Sequence, residues 1–144
     1  MPEARYRHIL AVDLGEKRIG LAVSDPTGVL ASALMVLNSQ GRAKDVLAVL
    51  QAARSEGVEA VLVGVPVSMS GEHGPMAEKS RRFGELLAER SGLPVLYWDE
   101  RLTTVEANRY LRDAGMRAVK RRRTIDAHAA ALLLQGYLDY VKSS

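Results

Sequence analysis

The stretch ILAVDLGEKRIGLAVSD, residues 9–25, leaves a chain few folding options. Ile9 to Val12 is a short apolar run, and Ile19, Leu21 and Val23 alternate with Gly20, Ala22 and Ser24, the period-2 pattern of a strand. The turn GEKR between them pairs the two antiparallel. Asp25-Pro26-Thr27-Gly28 turns the chain again, and VLASALMVL (29–37) reads as a third strand. That gives a three-stranded meander with an aspartate, Asp13, at the end of its first strand.

The later segments are mostly helical. Val46, Leu47, Leu50 and Ala53 recur at helical spacing between Ala43 and Glu56, and Gly57 suits the left-handed position after a helix. VEAVLVGVP (58–66) reads as a buried strand and SMSGEHG as a loop. A helix starts at Pro75, carries Met76, Phe83, Leu86 and Leu87 inward, and ends at Gly92 and Pro94. VLYW (95–98) makes a fifth strand. Thr103 and Glu106 form a capping box for a helix to about Ala114, and Thr124 can cap a last helix through about Val141. Three strands, then helix, strand, helix, strand, helix, helix, predict an α/β fold. Its mixed five-stranded sheet has antiparallel strands at one edge and parallel crossovers at the other, flanked by helices. At 144 residues this is a single domain, 1–144, with one active surface.

Asp13 ends the first strand and Asp99-Glu100 come directly after the fifth. If those strands are parallel, the acids share the sheet edge where α/β folds place ligands. A third acid, Asp126, lies on a helical stripe with 129, 130, 133 and 137, all Ala, Leu or Tyr, so it faces inward and needs a cationic partner. Each acid alone has an ordinary explanation, as a turn residue or a helix-dipole partner. Asp13, Glu100 and Asp126 together would carry three negative charges, which a hard cation must neutralise at short range. Oxygen ligands point to Mg²⁺ or Mn²⁺. Two such ions about 4 Å apart would suit phosphodiester hydrolysis. Alternation puts Asp99 and Glu100 on opposite faces, and spacing does not choose between them. The histidines His8 and His128 and the aromatics Tyr97 and Trp98 read as structural, and His73 as a loop residue.

The charge distribution supports a polyanionic partner. Net charge is only +3, yet RAVKRRR (117–123) holds five of the 20 basic residues; the remaining 15 face 17 acids, so the rest of the chain is slightly acidic. A solvated loop is the bland reading of such a run, and proximity to a chemical site is what would make it a nucleic-acid contact. There is no cysteine, which excludes disulfides and thiolate chemistry and fits a reducing cytoplasm. No apolar run has the length of a membrane span, and MPEARYRH lacks the apolar core of a signal peptide.

Four motifs, AVDLGEKRIGLAVSD at 11–25, VGVPVSMSGEHG at 63–74, DERLTT at 99–104 and KRRRTIDAHAA at 120–130, together resemble the YqgF/RuvX family of bacterial proteins. Its members are described as pre-16S rRNA nucleases and Holliday-junction-resolvase-like proteins with an RNase H-like fold. The resemblance spans nearly the whole chain, with Val65 standing where Leu is common. It implies Asp13, Glu100 and Asp126 as metal-binding acids, Arg18 and Lys120 near the phosphate, and Thr103 and Thr104 as substrate contacts. The expected activity is then a divalent-metal-dependent nuclease for precursor 16S rRNA 5′ ends, with Lys120, Arg121, Arg122 and Arg123 guiding the backbone. A Holliday-junction, branched-DNA or single-strand DNA nuclease in DNA repair, a homodimer in the junction case, and a non-catalytic RNA-binding assembly factor are the alternatives. An actin-like ATPase, suggested by Asp13-x-Gly15, would need a second lobe that 144 residues do not supply.

Overall fold

In a computed structural model, the structure describes residues 6–66, 71, 74–100 and 118–143, with the backbone alone at 118–127 and 143. Five strands, β1 (Ile9–Leu14), β2 (Arg18–Ser24), β3 (Ala31–Asn38), β4 (Ala60–Val65) and β5 (Val95–Asp99), form one sheet in the order β3-β2-β1-β4-β5. β1 pairs antiparallel with β2 and β2 with β3, whereas β1–β4 and β4–β5 are parallel. The predicted mixed sheet is therefore the observed one. The helices α1 (Arg42–Glu56) and α2 (Pro75–Ser91) form the two parallel crossovers, and α3 (Ala118–Ser143) covers the other face.

Strand alternation sorts the core into two layers. Leu10, Val12, Leu21, Val61 and Val63 pack against Val46, Val49 and Leu50 of α1 and Phe83 and Leu87 of α2. On the opposite face Ile9, Ala11, Ala22, Ala60 and Leu62 meet Ala130, Leu133, Leu134 and Leu138 of α3. Three alanines among these five sheet residues give α3 a low surface to lie on. Gln135 then pins the helix to the sheet rim: its side chain accepts from the Ala31 amide and donates to the Val29 carbonyl, both at 2.9 Å.

Several boundaries differ from those the sequence pattern predicts. β1 runs through Asp13 to Leu14, because Asp13 and Leu14 still pair with Gly20 and Ile19. β3 begins at Ala31 because the Asp25 carboxylate accepts the Val29 and Leu30 amides, at 2.9 and 3.2 Å, and holds them in the turn. β4 is shorter than 58–66 and β5 one residue longer than 95–98. The largest correction is α3, which is already helical at Ala118, upstream of Thr124. Lys120 to Arg123 are good helix formers with no Gly or Pro among them, so the helix continues through the basic run and Thr124 is an interior residue. The expected helix from Thr103 to Ala114 lies outside the described residues, as does most of the SMSGEHG loop.

His8 lies just before β1 and braces it. Its ring nitrogens are each 2.7 Å from a carbonyl oxygen, one of Ser24 and one of Glu56, which ties the start of β1 to the ends of β2 and α1. The buried Ser24 hydroxyl donates to the Arg7 carbonyl at 2.6 Å and accepts the Ile9 amide at 2.7 Å. Ser24→Ala would leave both backbone groups unsatisfied, so a loss of about 1–3 kcal/mol is expected in urea unfolding; an unchanged midpoint would show that water replaces the hydroxyl.

Candidate active site

Because β1, β4 and β5 are parallel, their carboxyl ends meet at one sheet edge. Asp13 lies next to the end of β1, and Glu100 comes directly after β5. By alternation Asp13 shares the α3 face with Ile9 and Ala11, and Glu100 shares it with Leu96 and Trp98. Asp99, in register with Val65, alternates to the other face. The side chains of Glu100 and Asp13 hydrogen-bond to each other. Geometry thus makes the choice that spacing left open: Glu100 is the acid that reaches Asp13.

Two carboxyls in hydrogen-bonding contact cannot both stay ionised without a compensating charge. The Glu100 carboxyl is pushed up to about 9, first by burial, then by the charge of Asp13, the hydrogen bond with it, and the charge of Asp99. Without a cation, a proton holds the pair together. The donors are all oxygens, the set a hard divalent cation prefers, and a cation between them would replace that proton. Among the described residues no group of three His, Cys, Asp or Glu is placed to hold a metal ion. The third expected ligand, Asp126, falls where α3 is described by backbone alone.

Position 126 does have the right neighbours along its helix. It shares a stripe with Ala130, Leu133 and Tyr137, all buried against the sheet. Leu133 meets Gly64 near the carboxyl end of β4, and 126 lies two turns further towards the helix N-terminus. Lys120, Arg121, Arg122 and Arg123 occupy the first turns of this same helix. Arg18 opens β2 on the face of Gly20, the register partner of Asp13. Thr103 and Thr104 lie outside the described residues.

The aromatics have structural roles. Trp98 packs edge-on to Tyr137, with ring centroids 5.5 Å apart, beneath α3, and Tyr97 sits on the other face under the Arg81 guanidinium, 5.3 Å from its ring centroid. The residue that sequence pattern does not single out is Gly64. It stands in VGVPVSMSGEHG, one of the four motifs, but a glycine in a buried strand gives no sign of what lies over it.

The family model for RuvX, described as Holliday junction resolvase, matches residues 7–140. The chain belongs to the RuvX family. Among RuvX relatives, a protein of Symbiobacterium thermophilum named "Putative pre-16S rRNA nuclease" is 48% identical over 128 residues, 89% of each chain. One of Moorella thermoacetica with the same name is 45% identical over 131 residues, 91% of this chain and 94% of the relative. In three dimensions the chain is similar to Thermus thermophilus RuvC, solved in complex with Holliday junction substrate, with a TM-score of 0.62 and 17% identity over 95% of this chain and 96% of that one. Such a likeness establishes the RNase H-like fold expected for a RuvX protein. No helix among the described residues is long and apolar enough to cross a membrane.

The carboxyl pair has a measurable consequence for stability. An unfolded glutamate titrates near 4.5 and the folded Glu100 near 9, so between these values the folded chain holds a proton that the unfolded chain has lost. The contribution is complete below about pH 4.5 and declines as pH rises towards 9, by up to about 1.4 kcal/mol per pH unit. In chelator, urea unfolding from pH 5 to 9 should show this decline, and Glu100→Gln should flatten it; equal slopes in the two proteins would rule out the protonated pair.

Proposed function

We propose that this RuvX protein is a divalent-metal-dependent nuclease that acts in 5′-end processing of precursor 16S rRNA in the cytoplasm, with residues 1–144 acting as one domain. The observation that carries the reading is the hydrogen-bonded Asp13–Glu100 pair at the carboxyl edge of the parallel strands, in a chain of this family. The names of the Symbiobacterium and Moorella relatives support the rRNA substrate. Asp13, Glu100 and Asp126 would hold the cation, Mg²⁺ or Mn²⁺.

Each protein group has a distinct task. Asp13 and Glu100 would give up their shared proton when a cation binds, so affinity would rise with pH. The chemistry a divalent cation supplies when bound is acidification of the attacking water and neutralisation of the leaving oxygen. Arg18 and Lys120 pair with the non-bridging phosphate oxygens, Thr103 and Thr104 hydrogen-bond to the substrate, and Arg121 to Arg123 hold the adjoining backbone. Hydrolysis adds water across one P–O bond and leaves a phosphate monoester on one fragment and a hydroxyl on the other. These backbone contacts carry no base readout.

A second reading is resolution of branched DNA. It is favoured by the family description and by the RuvC likeness, whose solved complex contains a Holliday junction. That reaction would need a homodimer presenting two sites to one junction. Purified protein with Mg²⁺ or Mn²⁺ should cleave 5′-extended 16S precursor, and Asp13→Asn, Glu100→Gln and Asp126→Asn should each lower the rate by at least about a hundredfold, a loss of roughly 2.7 kcal/mol in transition-state stabilisation. Undiminished cleavage in those variants would remove the acids from the mechanism. Cleavage of four-way junctions alone, by a dimer, would transfer the function to DNA. Replacing Arg121, Arg122 and Arg123 by Ala should reduce the slope of log affinity against log salt by about 2–3, according to how many of these residues contact phosphates.

A further inference from the structure

We infer that Gly64 is a positioning residue for the carboxyl pair: its missing side chain is the opening through which Glu100 reaches Asp13. The inference rests on the reading of those two acids as cation ligands. β1 and β5 are not neighbours in the sheet. β4 lies between them, so the backbones carrying Asp13 and Glu100 are two strand spacings apart, roughly 9–10 Å. One residue beyond the last registered pair, Val12 with Val63, Asp13 comes alongside Gly64, and Gly64 is in turn in register with Trp98, two residues before Glu100. A side chain at 64 would point to the α3 face, between the acids, because Ala60 and Leu62 point there.

Glu100 occupies that space. A Cβ built on Gly64 would stand 2.9 Å from Glu100 Cγ and 2.9 Å from its Oε2, and would overlap Leu133 Cδ1. The backbone itself does not demand glycine here, since Gly64 is not among the glycines with positive φ. Space is the reason, although a glycine inside a strand weakens it. The two neighbours make two separable demands. Leu133 needs the space so that α3 can close on the sheet, whereas Glu100 needs it to lay its carboxyl across β4. A methyl group would push that carboxyl off the line to Asp13, widen the separation of the two ligands, and leave both acids chemically unchanged.

Crossed variants separate the two demands, with the full-length protein and Mn²⁺ as the probe, titrated by calorimetry without substrate. Gly64→Ala should bind Mn²⁺ about 10- to 100-fold more weakly than the parent, the usual effect of disturbing the shell that orients a ligand. In Gly64→Ala/Leu133→Ala the overlap with the leucine is gone and folding no longer depends on it. Affinity there should still be at least about tenfold below that of Leu133→Ala alone. Parental affinity in Gly64→Ala, or equal affinities in Leu133→Ala and the double variant, would overturn the inference and leave Gly64 as a packing residue under α3. Asp13→Asn and Glu100→Gln, run beside them, keep the two failures apart. Full Mn²⁺ affinity in those variants defeats the ligand assignment itself, while its loss there with no loss in Gly64→Ala defeats only the positioning role.

Discussion

Two carboxyl groups on strands that do not touch are brought into hydrogen-bonding contact across a third strand, and the site depends on that contact. Its cost is electrostatic, because each acid disfavours ionisation of the other and burial adds to the penalty. A proton or a cation must be present for the arrangement to persist. The rest of the fold meets this requirement by geometry. Parallel pairing of β1, β4 and β5 brings the acids to one edge, β4 offers no side chain between them, and α3 closes over the same face.

The two sheet faces divide the labour. One carries a thick aliphatic layer under α1 and α2, with Phe83 and Leu87 filling the space beside Val61 and Val63, and bears on the acid pair through the charge of Asp99. The other is paved with alanines near its centre, which lets the single long α3 approach closely. Polar anchors such as Gln135 fix where the helix lies. The same helix holds Leu133 over Gly64 and bears Asp126 and the basic run on its N-terminal half. An error in the placement of α3 would therefore disturb acids and cations together.

Much of the fold was legible in residue patterns. Alternation in Ile19 to Ser24, the GEKR turn and the helical spacing of Val46, Leu50 and Ala53 are local signals, and each led to the right element. Boundaries failed where side chains overrode local preference. The Asp25 carboxylate holds Val29 and Leu30 out of β3, a hydrogen-bonding choice that their apolar character conceals. At the other end, Thr124 has the chemistry of a helix cap but lies inside a helix, because the arginines before it extend the helix. A capping residue marks a start only when the residues upstream prefer not to be helical.

Short-range pattern and composition carry the order of strands and helices, the carboxylates at strand ends, and the concentration of positive charge at 117–123. The resemblance of the sequence motifs to RuvX proteins extended that to an expected set of ligands. Tertiary structure decided that Glu100, rather than Asp99, reaches Asp13, and that Gly64 is the gap between them. Neither was open to local reading, because both depend on which strand lies between two others and on the face to which each residue points, and those are set only when distant segments pair.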